Sequence, residues 1–274
     1  MIRSSRWYAL ALALGAVTVV QARPPVEQPD NLINDRFEMG AAFTYGSGST
    51  TLRVDASDGA PGTVLSGETD LGLPKHKLIG DLDIMFRPGE RHTVRVNYLF
   101  LPYDRHATAT LKTQVDFKDA TYNIDDVVSS QLSVKVEGME YAYSLLKNDR
   151  YELGLGLGVD LIEVSAQANV PARLAQQHQE TSAPVPLGEL EGTYRISSRW
   201  YLQGEWQYMR ATISHIYGSV AVWHAGALYR LSPNVTLGAG FQSYHLVVDS
   251  NKSGETGLVN LKASGPSISA RVGF

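Results

Sequence analysis

The sequence predicts an all-β chain that closes into an antiparallel, up-and-down transmembrane barrel of about ten strands. Three observations lead there. Apolar residues recur at every second position through ten separate stretches, which is strand period and not helix period. The connections between stretches alternate short and long, as periplasmic turns and external loops do in bacterial barrels. The face opposite the apolar one collects the ionisable side chains, as a lumen wall does.

The N-terminus places the chain on an export route. Arg3 and Arg6 give a positive start, Trp7 to Val20 is an apolar run without charge, and Val20 and Ala22 put short side chains before Arg23. This is the pattern of a secretory signal peptide over residues 1–22, cut after Ala22. The run is shorter than the ~20 residues a membrane-spanning helix needs. Its removal takes two arginines and no acid, leaving 22 basic against 28 acidic residues, a charge of −6. That balance argues against a nucleic-acid partner. Residues 23–35 hold Pro24, Pro25 and Pro29 and read as a periplasmic lead-in, and 36–274 as the barrel domain. Cysteine is absent, which excludes disulfides, thiolate metal sites, a cysteine nucleophile and a lipid anchor on cysteine. The mean hydropathy is −0.15, too low for a helical membrane bundle. A barrel gives such an average because lipid-facing and lumen-facing residues alternate.

The stretches follow in order. The first, Arg36 to Val54, carries Phe37, Met39, Ala41, Phe43 and Tyr45 on one face. Leu78 to Arg87 carries Leu78, Leu82, Ile84 and Phe86, and Arg91 to Leu101 carries Val94, Val96, Tyr98 and Phe100. The fourth, Ser129 to Leu146, shows Leu132, Val134 and Val136 and then Met139, Tyr141, Tyr143 and Leu145, so its phase slips at Gly138, which predicts a β-bulge there. Tyr151 to Ala168 alternates cleanly, and the sixth stretch, Val185 to Ile196, is the least regular. Trp200 to Ile213, Val220 to Leu231, Val235 to Val248 and Leu258 to Phe274 complete the set. Eight strands is the alternative, if the sixth stretch or a neighbour lies outside the membrane.

Tight-turn compositions join them in pairs: Pro88-Gly89-Glu90, Lys147 to Arg150, Ser197-Ser198-Arg199 and Ser232-Pro233-Asn234. The long connections span about 55–77, 103–128 and 169–184, the last Gln-rich and expected to be mobile, with shorter ones near His215–Ser219 and Asp249–Gly257. Phe37, Phe86, Tyr98, Phe100, Tyr151, Trp200, Tyr229 and Phe274 fall near strand ends, where interfacial aromatic girdles belong. An inward Gly156 opposite an outward Leu155 implies that Gly156→Ser is tolerated and Leu155→Arg is not.

The last residues, Ser267-Ile268-Ser269-Ala270-Arg271-Val272-Gly273-Phe274, resemble the C-terminal strand of Gram-negative outer-membrane proteins, and the mature chain is similar in layout to small outer-membrane β-barrels. The turn Arg87-Pro88-Gly89-Glu90-Arg91-His92 resembles a hairpin of an uncharacterised group of them. The resemblance implies location in the cell outer membrane, contact with its lipid and lipopolysaccharide, and recognition of Phe274 as an assembly signal by the barrel-assembly machinery.

The phase of each stretch assigns a lumen charge network: Glu38, Asp81, Asp83, Arg95, Lys135, Glu137, Glu140, Glu152, Asp160, Glu189, Glu191, Arg195, Glu205, His224, Arg230 and Arg271. A charge facing lipid at the midplane costs about 2–4 kcal/mol, whereas opposite charges inside pair across strands. Ten strands lie just above the number whose interior side chains fill completely. The expected function is therefore non-enzymatic, a structural or surface-interaction role with a packed polar lumen. A narrow channel or porin for small solutes or cations is the first alternative. A rim-located lipid-modifying or proteolytic enzyme is the second. For that reading the outer half offers His106, His178, His215 and His245, with Ser243, Asp249 and Ser250 near His245 in sequence. Strand parity puts His245 and Ser250 on opposite faces, and no catalytic triad spacing is present. Gly154-Leu155-Gly156-Leu157-Gly158 lacks the strand-turn-helix setting of a dinucleotide site. Asp104, Asp116, Asp119, Asp125 and Asp126 give an acidic loop without calcium-loop spacing. No cofactor, metal or catalytic residue is expected.

Overall fold

The computed structural model describes residues 31–56, 58, 60–112, excluding 102–106, then 114–117, 120–170, 175–213, 215–252 and 255–274. The signal peptide and most of the lead-in thus lie outside the described residues. Among the described residues a short 3₁₀ turn, Leu32–Asn34, precedes fourteen strands: β1 Phe37–Val54, β2 Leu65–Ser66, β3 His76–Gly89, β4 His92–Leu101, β5 Ala107–Thr110, β6 Val115–Phe117, β7 Ala120–Tyr122, β8 Val127–Lys147, β9 Tyr151–Val170, β10 Ala175–Arg195, β11 Trp200–Ile213, β12 Ile216–Arg230, β13 Val235–Lys252 and β14 Glu255–Gly273. Ten of them (β1, β3, β4 and β8 to β14) pair antiparallel with their chain neighbours, and β14 pairs back onto β1, closing a ten-stranded barrel. β2 and β5 are short additions at the loop end, and β6–β7 is a separate hairpin.

Sequence chemistry explains the closure and the turns. The backbone N–H groups of Arg36 and Phe37 donate to Phe274 O, and Phe37 and Phe274 stack at 5.7 Å. Along this β1–β14 junction a Cβ on Gly265 would sit 2.0 Å from Tyr45 O, so the strands meet only because glycine is there. At the turn end, Asn148 Oδ1 accepts from the N–H groups of Arg150 and Tyr151, and Ser197 Oγ and Ser232 Oγ accept from Trp200 N and Val235 N. Short polar side chains thus close three of the four turns locally.

Each barrel strand shows an apolar residue to the outside: Met39, Leu82, Val96, Met139, Leu157, Leu190, Trp206, Trp223, Phe241 and Ile268 in chain order. Leu157 is 74 % exposed, a state that is stable in lipid and costly in water. Ten residues suffice to cross a bilayer at the usual tilt. The 10-residue β4 meets that length, while β8, β9 and β10, at 21, 20 and 21 residues, run well beyond it.

Two expectations are corrected here. The connection expected over 169–184 is mostly strand, paired in register from Val170–Ala175 downward, with 171–174 outside the described residues. No bulge occurs at Gly138, because β8 stays in register with β9 from Ser129 to Ser144 and shifts only between Ser144 and Leu146. Hence Val134 points into the lumen and Lys135 outward. The apolar-means-lipid rule inverts in the outer half, where the interior is dry and the outer face is wet. The sixth stretch was irregular for a related reason. β10 pairs with β11 only from Gly188–Tyr208 down to Arg195–Tyr201, and both strands continue past that point. Pro184 and Pro186, which cannot donate to a ladder, sit in the part of β10 that has no β11 partner.

Candidate functional site

The lumen is filled in layers. At the turn end the lead-in tucks inside, where Leu32 packs with Tyr201 and Leu228. The Arg230 guanidinium donates to both Asp35 carboxylate oxygens at 2.9 and 3.0 Å, Asn31 Nδ2 donates to Asp149 O, and Lys147 Nζ donates to Ile33 O. Just above, Arg87 makes a bidentate pair with Glu152, which also accepts from Ser144 Oγ and lies 3.6 Å from Lys147 Nζ.

The next layer is an ionic lattice centred on Arg95 of β4. Its guanidinium donates to Glu189 at 2.8 Å and Glu191 at 2.9 Å, both on β10, and stands 3.5 Å from Glu140 and 3.8 Å from Glu205. Three glycines of β9 make room for three of these carboxylates. A Cβ on Gly158 would meet Glu140 Cγ at 2.7 Å, one on Gly156 would meet Glu189 Oε2 at 2.7 Å, and one on Gly154 would meet Glu191 Oε1 at 3.1 Å. The Gly-Leu-Gly-Leu-Gly run is therefore a strand that alternates lumen space with lipid contact. Gln207 Nε2 donates to Glu140 at 2.7 Å and Glu205 at 3.0 Å. Glu205 lies directly across from His224 on β12 and from Glu191 on β10. Arg271 pairs with Glu38 at 3.3 Å, and Asp83 fills the space over Gly40.

Above the lattice lies an apolar layer to which every barrel strand contributes: Leu52, Ile79, Leu99, Val134, Ile162, Leu187, Met209, Val220, Leu246 and Leu261. Leu65, Leu71, Leu73, Ala107, Leu111, Val115 and Tyr122 from the first two external connections fold onto the same cluster. A polar anchor holds the first of these. Glu68 accepts from Lys77 Nζ and Thr50 N, each at 2.8 Å. Burial works against the Glu68 charge, yet these donors outweigh it and hold the carboxyl below its ordinary range.

Between lattice and apolar layer lies a chamber of about 120 Å³, walled below by Asp81, Asp83, Glu205, His224 and Arg271 and above by Val136, Val222, Leu246 and Leu261. Asp160 also lines it. That residue is 4 % exposed and its Oδ1 has no hydrogen-bond partner among the described residues. A smaller cavity of about 40 Å³ lies beneath, between Ile33 and Arg95.

Thirteen of the sixteen charged residues assigned to the lumen by phase lie in these layers. Three do not. Lys135 and Glu137 face outward, Lys135 pairing with Glu163 across β8 and β9 at 3.3 Å, and Arg195 turns to donate to Ser197 O at the turn end. Sequence reasoning passed over Arg87 and Gln207, whose strand phase matches that of Asp83 and Glu205. Asp35 had no such signal, because it precedes the first strand.

The outer histidines do not assemble. His245 lies across from Ala221 and Lys262 on the outward phase of β13, whereas Ser250 is buried on the inward phase. His215 is exposed, His106 lies outside the described residues, and the side chain of His178 is likewise not described. In the second loop, Asp116 accepts from Thr121 Oγ1 and Asp126 from Asn123 N, local turn contacts, while Asp104 and Asp119 lie outside the described residues. Among the described residues no group of three His, Asp or Glu is placed to hold a metal ion.

No family model matches the chain, and no curated protein matches it. Solved structures do. The outer membrane protease OmpT from Escherichia coli superposes with a TM-score of 0.59 at 14% identity, over 88% of this chain and 97% of that one. A Pseudomonas aeruginosa FadL homologue gives 0.38 at 8% identity, over 87% of this chain and 90% of that one. Neisserial surface protein A gives 0.35 at 12%, over 87% and 97%. Of these three, only the protease superposes closely enough to bear on architecture, and at that identity it shows a shared fold and nothing of chemistry.

Proposed function

We propose that the chain is an outer-membrane protein closed to solutes, with a non-enzymatic structural or surface-interaction role exercised at its loop end. The observation that carries this is the lumen: the lead-in, the Arg95 lattice and the apolar layer block it at three successive levels. A hydrophobic layer to which all ten strands contribute is a barrier even to water, since apolar constrictions dewet. The export pattern at residues 1–22, the apolar outer belt and the C-terminal Phe274 motif support the location, lipid and lipopolysaccharide as surroundings, and assembly through the barrel-assembly machinery. The long, outwardly charged extensions of β8 and β9 and the loops packed over the mouth supply the surface for any partner.

The test is planar-bilayer recording on the purified barrel. The expected record is a flat baseline at ordinary voltages; steady single-channel steps refute closure and favour the channel.

A further inference from the structure

The chamber between the lattice and the apolar layer holds more acid than its cations can serve. Arg95 is shared by four glutamates and Arg271 is taken by Glu38. Asp81, Asp83 and Asp160 line the same space and form no ion pair with a basic side chain among the described residues. Buried carboxylates without donors are costly, and each needs a cation, a proton or water. Asp160 is the clearest case, almost wholly buried, lining the cavity and lacking a partner at Oδ1 among the described residues.

We propose that this chamber binds a small organic cation with a short apolar body, an alkylammonium or alkylguanidinium. The head lies against Asp160 and the hydrocarbon against Val136, Val222 and Leu261, while Asp81, three strands away on the same wall, adds to the negative field of the chamber. Each half of that ligand answers an observation. The unserved carboxylates select a cation and repel an anion. Among the described residues no three His, Asp or Glu side chains converge on one point, so a hard metal ion, which wants six to eight oxygens around it, would be left short of ligands. Volume sets the size, since about 120 Å³ suits a chain of a few carbons. The site goes beyond the closed-barrel reading: a barrel that conducts yet binds the cation would overturn that reading and leave this one standing.

Refold the chain into detergent micelles with radiolabelled n-butylammonium present, so that entry does not limit occupancy, and measure retention by equilibrium dialysis. Run 1-butanol, butyrate and calcium chloride alongside, with Asp160→Asn and Asp81→Asn as variants. Folding is checked by heat-dependent gel mobility, and affinities are compared for whichever variants fold. The expected result is saturable binding of n-butylammonium at one per barrel, none of butanol or butyrate, a tenfold or greater weakening in Asp160→Asn, the loss of one charge-assisted hydrogen bond, and a smaller weakening in Asp81→Asn. The proposal falls if the wild-type chain shows no saturable binding, if butanol binds as well, if calcium binds more tightly, or if every folded variant keeps its affinity.

Discussion

Leu155 and Gly46 stand on opposite faces of the barrel wall, and the cost of changing each follows from what it faces. Leu155 is half exposed to the apolar belt, so Leu155→Arg puts a guanidinium into hydrocarbon at about 2–4 kcal/mol. Gly46 faces the lumen, and an added Cβ would meet nothing closer than 3.5 Å, at Ile79 Cδ1. The expected outcome is a severe loss of folding yield into lipid vesicles for Leu155→Arg and near-wild-type yield for Gly46→Ala. Equal yields would break the facing assignment. Gly156, the control that strand phase alone suggests, is not a clean one. A Cβ there meets Tyr141 O at 3.1 Å as well as the Glu189 carboxylate, so the loss of Gly156→Ser would report crowding and not facing. Phase tells which way a side chain points; it does not tell what stands opposite.

The first external connection behaves as a strap, and its hold is electrostatic at one point. Glu68 accepts from Lys77 Nζ and Thr50 N, while Leu65, Leu71 and Leu73 pack beneath. Since the Glu68 carboxyl is held below its ordinary range, its contribution is present above the unfolded value and is lost as pH falls through the lowered one. Lowering the pH from neutral to below the ordinary carboxylate range should therefore lower the hydrogen-exchange protection of residues 65–73, taken relative to the intrinsic rate at each pH, while the barrel strands keep theirs. Lys77→Met should remove most of that pH dependence, and a strap equally protected at every pH in the wild-type chain would show that its apolar packing alone holds it. The same segment shows what the sequence left hidden at this scale. Strands were legible wherever one face met lipid, because alternation is strong there. Where both sides are polar, as in Gln176, Gln177 and Gln179 of β10, extended structure leaves no alternation to read. Leu71 and Leu73 in a loop carry no signal either, because their meaning depends on a lumen floor contributed by residues far away in sequence. Leu145 and Leu146, both exposed, were the available sign of the true β8 bulge.

At the scale of the whole molecule the proposed closure rests on elements in series, and that arrangement makes an asymmetric prediction. The lead-in closes the turn end, but the apolar layer above it is independent of it: one is held by Asp35–Arg230 and by packing on Tyr201, the other by side chains from all ten strands and two loops. Ile33 is 2 % exposed and borders the small cavity beneath Arg95. Arg87, Arg95 and Arg271 line the same cavity but are already paired with Glu152, with the four glutamates of the lattice and with Glu38. Ile33→Asp therefore adds a carboxylate with no cation of its own beside Glu38, Glu152 and Glu191, a burial that costs several kcal/mol, and expulsion of the lead-in relieves it. Water then reaches the Arg95 lattice from the turn end. Ions still meet the hydrophobic layer, whose dewetting sets the barrier whatever lies below. The variant should thus lose protease resistance at residues 31–35 and remain electrically silent in a planar bilayer. Steady conductance steps from Ile33→Asp alone would mean that the lead-in, and not the apolar layer, is what keeps the barrel shut.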